Sequence, residues 1–210
     1  MIQTDGSLFG TLSAEDLGAD PIRGFERWLE EAEAESSIRY PNAVILSTLR
    51  EDGVVDGRVV LLKGVDERGF TFFTNYRSSK GRALKANPVG ALTFYWDPMG
   101  RQVRVRGRVE RLPGEESDAY FATRPRDSQI GAWASAQSET LASREALLER
   151  VRALDEDHRG RAVPRPEQWG GFLLVPDEIE FWQEGAFRLH DRFLFERSGV
   201  EGWSVRRLSP

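Results

Sequence analysis

The sequence predicts a mainly β fold with flanking helices, its antiparallel strands closed or partly closed into a barrel. Three observations lead there. Short apolar stretches recur along the 210 residues with tight-turn residues between them. Residues 101–111 alternate strictly, with Val103, Val105 and Val109 on one face and Gln102, Arg104, Arg106 and Arg108 on the other. The chain has no parallel β-α-β rhythm and none of the glycine signatures of a Rossmann or Walker phosphate loop.

Each element has a local cause. Residues 1–19 hold Gly, Ser and acids without apolar period and are expected to form a flexible N-terminal segment, with 20–210 as a single domain. Asp20-Pro21 is a helix start, an N-cap followed by Pro in the first turn, and Phe25, Trp28, Leu29 and Ala32 follow at helical spacing. Strands are predicted over 43–49, 58–63 and 70–74, separated by the turns Glu51-Asp52-Gly53 and 66–69. A short helix spans 78–86, with Ser78 as cap and Asn87-Pro88 as stop. Strands 89–96 and 101–111 follow, then helices over 114–122 and 139–154. Four closing strands are predicted over 170–175, 179–183, 192–196 and 203–208.

Composition narrows the function classes. No apolar run approaches the roughly 20 residues that span a bilayer, and the first nine residues lack the form of a secretion signal. With no Cys and only His158 and His190, disulfides, thiolate metal sites and a His-based zinc site are disfavoured, and a reducing, cytoplasmic setting is expected. The net charge is −5, yet residues 58–108 carry eleven Lys and Arg against Asp66, Glu67 and Asp97, a net +8 that leaves −13 elsewhere. A basic middle on an acidic chain points to a local anion site. The arginines of 104–108 lack the interleaved exposed aromatics of a nucleic-acid surface.

Four constellations carry candidate chemistry. In Arg58-Val59-Val60-Leu61-Leu62-Lys63 the two cations lie near opposite ends and on opposite faces of a strand, which suits two separate phosphates better than one. Thr74-Asn75-Tyr76-Arg77-Ser78-Ser79-Lys80 runs into a helix start, where orphan N–H groups, Ser hydroxyls and a Lys seat a phosphate. Tyr120, Arg124 and Ser128 are four apart in turn, and one helical turn plus a Pro-bounded loop converges them on a phosphate dianion. The small polar run up to Gln137-Ser138 suits the close approach of a planar ligand, and Arg188 and His190 read as sharing a strand face. Each has an ordinary structural reading as well: solvated strand ends, a capped helix, a surface turn pairing Arg with Asp127, and a hairpin pairing His190 with Asp191.

Taken together, the order and wording of these segments resemble the pyridoxamine 5′-phosphate oxidase family from about Asp20 to Pro210. The most specific stretches are Arg124-Pro125-Arg126-Asp127-Ser128-Gln129-Ile130-Gly131-Ala132-Trp133, Arg188-Leu189-His190-Asp191-Arg192 and the ending Arg207-Leu208-Ser209-Pro210. The resemblance implies a split β-barrel that binds flavin mononucleotide (FMN) at the interface of a homodimer. It implies oxidation of pyridoxamine or pyridoxine 5′-phosphate by O₂ to pyridoxal 5′-phosphate and H₂O₂. Carried over by motif, Arg58, Val59, Val60, Leu61, Leu62 and Lys63 line the flavin, with Arg58 near its phosphate; Phe73 and Thr74 contact it through backbone; Ser79 and Lys80 serve the phosphate. Gln102, Gln137, Ser138, Trp182 and Arg192 complete the flavin environment. Lys63, Tyr120, Arg124 and Ser128 hold the substrate phosphate, and Arg188 and His190 are the catalytic pair that orients the pyridine ring. Two departures stand out. Ser79-Lys80 replaces an Arg-Lys pair, and the region around Thr4 and Ser7 lacks the Arg and Tyr that often close over the substrate. The alternatives are a related oxidase of phenazine precursors, which needs no phosphate clamp, and a flavin-binding protein without turnover, which needs neither Arg188 nor His190.

Overall fold

The computed structural model describes residues 9–199 and 202–210. Among them, eight strands form one antiparallel sheet in the order β3-β2-β1-β4-β5-β6-β7-β8, and a further pairing of β3 with β6 closes the first six into a barrel. The strands are β1 Ala43–Leu49, β2 Val55–Asp66, β3 Gly69–Asn75, β4 Val89–Trp96, β5 Arg101–Arg111, β6 Trp169–Gln183, β7 Asp191–Ser198 and β8 Gly202–Arg207. The helices are α1 Ala14–Leu17, α2 Pro21–Ala34, α3 Ser79–Ala86, α4 Gly114–Thr123, α5 Arg126–Ala134 and α6 Arg144–Asp157.

Period-two alternation fills the barrel. Val103 and Val105 of β5 meet Phe70 and Phe72 of β3, Phe94 of β4 and Phe181 of β6 in a single apolar core. Helix α2 starts where Asp20 caps the Ile22 N–H at 2.9 Å and buries Phe25, whose ring stands 4.9 Å from Phe70 and 4.7 Å from Phe94. Each such fully buried aromatic stabilises the fold by roughly 1.5–3 kcal/mol. A second, smaller cluster of Phe121, Ile130, Val163 and Trp169 binds the helical flank α4–α6 to the barrel.

Four differences from the sequence expectation have local causes. Of the segment 1–19, residues 1–8, with Thr4 and Ser7, lie outside the described residues, while 14–17 form α1. There Ser13 and Asp16 make a reciprocal capping box, and Leu17 is buried. The Pro-bounded loop expected after Arg124 is helix α5, because Pro125 takes the N-cap position directly after the C-cap of α4. Helix α6 begins five residues later than expected, where the Ser143 hydroxyl accepts the Ala146 N–H at 3.1 Å. The strands expected at 170–175 and 179–183 are one strand, β6, although Pro176 interrupts its pattern. One edge of β6 pairs with β3 through Leu174 and with β7 from Glu178, so Pro176 falls in the gap where no N–H is required.

Candidate functional site

A concavity of about 680 Å³ lies where β2 and the end of β3 meet α3, α4 and α5. Outward-pointing Val59, Leu61 and Lys63 of β2 line it, with Val60, Phe73, Thr74, Lys80, Tyr120, Arg124, Ser128 and Gln137. The helix–proline–helix corner is what brings three candidates together: Tyr120 sits in the last turn of α4, Arg124 at its C-cap and Ser128 in the first turn of α5. The three side chains therefore face one space, as their spacing implied.

Arg124 is the cation of this trio. Its Nη1 is buried without a hydrogen-bond partner, and its guanidinium lies 4.5 Å from the Trp169 ring centre and 5.5 Å from that of Phe121. Burial pushes its pKa down from the usual arginine value. Beneath it, Tyr120 stacks on Phe73 at 3.9 Å and Phe73 on Trp169 at 5.4 Å, so an aromatic pile fixes where the guanidinium points. Trp169 lines the cavity but escaped the sequence reading, since a Trp opening a strand looks like ordinary core.

At the other end, Lys80 is buried in the first turn of α3. Its Nζ donates to Gln137 Oε1 at 3.3 Å and to Thr74 Oγ1 at 3.4 Å. Burial first, then the nearby Arg58 charge, holds its pKa below the ordinary lysine value. Ser79 begins that helix, and Ser78 caps it through the Gly81 N–H at 3.3 Å. Arg58 points inward, away from Lys63: its Nη1 donates to Leu46 O at 3.0 Å and Thr48 Oγ1 at 2.8 Å. Its buried Nη2 forms an ion pair with Asp56 but has no acceptor in hydrogen-bond geometry. Leu62 is turned into the core, and both its backbone groups are taken by Asn42.

The remaining candidates lie elsewhere on the chain. Gln102, Trp182 and Arg192 form one row across β5, β6 and β7, paired in register as Gln102↔Trp182 and Trp182↔Arg192. Arg192 is fixed by Glu180, 3% exposed, at 2.7 and 2.9 Å, and Glu180 also accepts from Arg104 at 3.1 Å. The basic stripe of β5 is thus compensated, with Arg106 paired to Glu178 and Arg108 to Glu110. Arg188 and His190 do not share a strand face. Residues 186–188 make a 3₁₀ turn in which Phe187 and Arg188 have φ of 56° and 64°, and Arg188 is exposed. His190 Nδ1 accepts the Gly185 N–H at 3.2 Å, and its ring lies 4.6 Å from Trp182. Asp191 pairs with Arg207 and accepts the Leu12 N–H at 2.9 Å. Ser138, next to Gln137, is held at φ 73°. Among the described residues, no helix is long and apolar enough to cross a membrane, and no cluster of three His, Asp or Glu could hold a metal.

The family model for pyridoxamine 5′-phosphate oxidase matches residues 30–156, and that for the pyridoxine 5′-phosphate oxidase C-terminal dimerisation region matches 169–210. The chain belongs to the pyridoxamine 5′-phosphate oxidase family. Family members named pyridoxine/pyridoxamine 5′-phosphate oxidase resemble it over nearly its whole length. That of Rubrobacter xylanophilus is 53% identical over 95% of this chain and 91% of the relative. That of Cupriavidus taiwanensis is 50% identical over 97% and 95%. Among solved structures, PhzG from Burkholderia lata 383, in complex with tetrahydrophenazine-1-carboxylic acid, superposes with a TM-score of 0.89 at 33% identity, covering 97% of this chain and all of that one. A pyridoxamine 5′-phosphate oxidase-related, FMN binding protein from Nostoc punctiforme shares the fold, with a TM-score of 0.73 at 17% identity over 91% of this chain and 98% of that one. The split barrel expected from sequence is the observed fold.

Proposed function

We propose that this chain is an FMN-dependent oxidase that converts pyridoxamine or pyridoxine 5′-phosphate to pyridoxal 5′-phosphate. O₂ is the acceptor: the alcohol gives aldehyde and H₂O₂, and the amine, with water, gives aldehyde, ammonia and H₂O₂. The observation that carries the reading is the buried, unbonded Nη1 of Arg124, set between Tyr120 and Ser128 in a cavity that also holds Lys63. A buried donor left unbonded is costly, and a phosphate oxygen would satisfy it.

The other end of the cavity fits a second anion. Lys80 lines that end and donates to the neutral oxygens of Thr74 and Gln137; Arg58, behind the lining, has its buried Nη2 paired with Asp56 but outside hydrogen-bond geometry. These residues, with Ser79 and the α3 N-terminus, would hold the FMN phosphate, and Val59, Val60, Leu61, Phe73, Thr74, Gln137 and Ser138 would border its ring. When bound, the flavin supplies the redox chemistry by accepting hydride from the substrate carbon. The chain supplies position. Tyr120, Arg124, Ser128 and Lys63 grip the substrate by a phosphate remote from the reacting carbon, so that remote binding energy sets the geometry there.

Gln102, Trp182, Arg192, Arg188 and His190 do not line this cavity. We assign them to the same site in a homodimer, each subunit presenting its row to its partner's cavity. The match of 169–210 to a dimerisation region supports this, as do the exposed Val59, Ile45 and Tyr95 between the cavity rim and the row: Ile45 pairs with Val59 on one side and on the other with Thr93, two residues before Tyr95, which pairs with Gln102.

The likeness to PhzG favours a second reading, oxidation of a phenazine precursor. One experiment separates them. Purified protein with FMN is given pyridoxine 5′-phosphate or tetrahydrophenazine-1-carboxylic acid in air, and aldehyde and H₂O₂ are followed. Aldehyde and peroxide from the phosphorylated vitamer alone support the proposal; turnover of the phenazine precursor alone overturns it.

A further inference from the structure

Asp56 is an acid beside two cations, Arg58 and Lys80, of which Lys80 lines the cavity while Arg58 and Asp56 lie behind the lining. It lies two residues before Arg58 on the same inward face of β2, its carboxylate forms the ion pair with Arg58 Nη2, and Lys80 is close enough to feel both charges. The Asp56 side chain is 39% exposed, against 19% for Arg58. Orientation of Arg58 does not depend on it, because Nη1 is already fixed by Leu46 O and Thr48 Oγ1 on the neighbouring strand β1.

We propose that Asp56 tunes cofactor affinity downward: it acts as the internal counter-ion of Arg58 and competes with the FMN phosphate for the Nη2 edge. The inference rests on the FMN reading above and adds a residue to it. With Ser79 supplying a hydroxyl, the charges facing a phosphate dianion are Arg58 and Lys80, and Asp56 offsets one of them. An arriving phosphate must either displace the carboxylate into solvent, which its partial exposure permits, or bind beside it against like-charge repulsion. Both routes weaken binding of the phosphate and leave the isoalloxazine contacts untouched.

The test compares wild type with Asp56→Asn, which keeps the shape and removes the charge, and with Asp56→Ser as a second neutral variant. Each is loaded with FMN, or with riboflavin, and the dissociation constant is read from the recovery of flavin fluorescence on dilution. The expected result is FMN bound about three- to ten-fold more tightly by both variants, with riboflavin affinity unchanged. A merely structural role would move both ligands together. Unchanged or weaker FMN binding by the neutral variants, or an equal shift for riboflavin, overturns the proposal. A wild-type chain that binds no FMN overturns the cofactor reading itself and this inference with it, so the two failures are told apart.

Discussion

At Arg124 a guanidinium lies over Trp169 with Nη1 buried and unbonded, so the side chain is poised for an anion by its packing. A charge-assisted bond of this kind contributes about 1.5–3 kcal/mol. Arg124→Ala is therefore expected to raise KM for pyridoxine 5′-phosphate by roughly ten- to a hundred-fold while FMN affinity stays constant. An unchanged KM in steady-state assays removes Arg124 from the proposed phosphate grip. Arg188 is expected to behave differently, since it lies on an exposed turn and is absent from the cavity lining. Arg188→Ala should cut turnover at least about a hundred-fold with FMN retained, and normal turnover by the yellow variant would refute its role at the ring. Lys80 gives a pH signature. Burial and Arg58 depress its pKa, so the free site loses its proton below the ordinary value of 10.5. Anion binding favours the protonated form, so binding takes up a proton there. The phosphate, with a second pKa near 6, is already a dianion above neutrality. FMN affinity should then fall as pH rises toward the lysine range, and Lys80→Arg should flatten that fall. A pH-independent FMN dissociation constant in the wild type would show that Lys80 does not serve the phosphate.

Among the elements, the β5–β6 pairing carries a very close backbone approach where β6 passes from β3 to β7. The register shifts at Arg106/Gly107, opposite Pro176, and a Cβ on Gly107 would stand 1.9 Å from Val175 O. Gly107→Ala must push the strands apart and is expected to cost about 2 kcal/mol or more, lowering Tm by at least about 4 °C; calorimetry showing no loss would mean that the strand yields freely. The same elements show what the sequence could and could not disclose. Alternation named the buried face of β5 because each Val there meets the same interior, a purely local signal. Pro176 read as a break, since the gap between β3 and β7 along one edge of β6 is a property of topology. Arg188 and His190 read as one strand face, yet two positive φ values turn the chain before His190, and nothing in Phe187-Arg188 announces them. The convergence of Tyr120, Arg124 and Ser128 on one cavity was legible because i, i+4 spacing survives whether a helix or a loop follows Pro125. The roles of Trp169 and Glu180 were not, because each acts through an arginine distant in sequence: Trp169 lies 45 residues after Arg124, and Glu180 is shared between β5 and β7.

On the scale of the whole molecule, one subunit holds half of the proposed site in its cavity and the other half on an outer sheet face. Lys63, Lys80, Arg124 and Tyr120 line the cavity with Val59, Val60 and Leu61 of β2, whereas the Gln102–Trp182–Arg192 row lies beyond the exposed apolar residues Val59, Ile45 and Tyr95. If two copies bury those apolar residues against each other, assembly and cofactor retention must fail together. Ile45 tests this from outside the lining, since it is 44% exposed and meets the cavity through its strand partner Val59 alone among its paired residues. In Ile45→Glu, two carboxylates would be buried across a two-fold axis, at a cost of several kcal/mol. The expected outcome is a sedimentation velocity profile of monomers, weaker retention of both FMN and riboflavin because the partner's row is lost, and turnover reduced in step with the monomer fraction. The loss of riboflavin distinguishes this from the Lys80 effect, which acts on the phosphate alone. A monomeric Ile45→Glu protein that keeps its flavin and its full turnover would place the complete site within one chain, and Trp182 and Arg192 would then have to be reassigned as barrel structure.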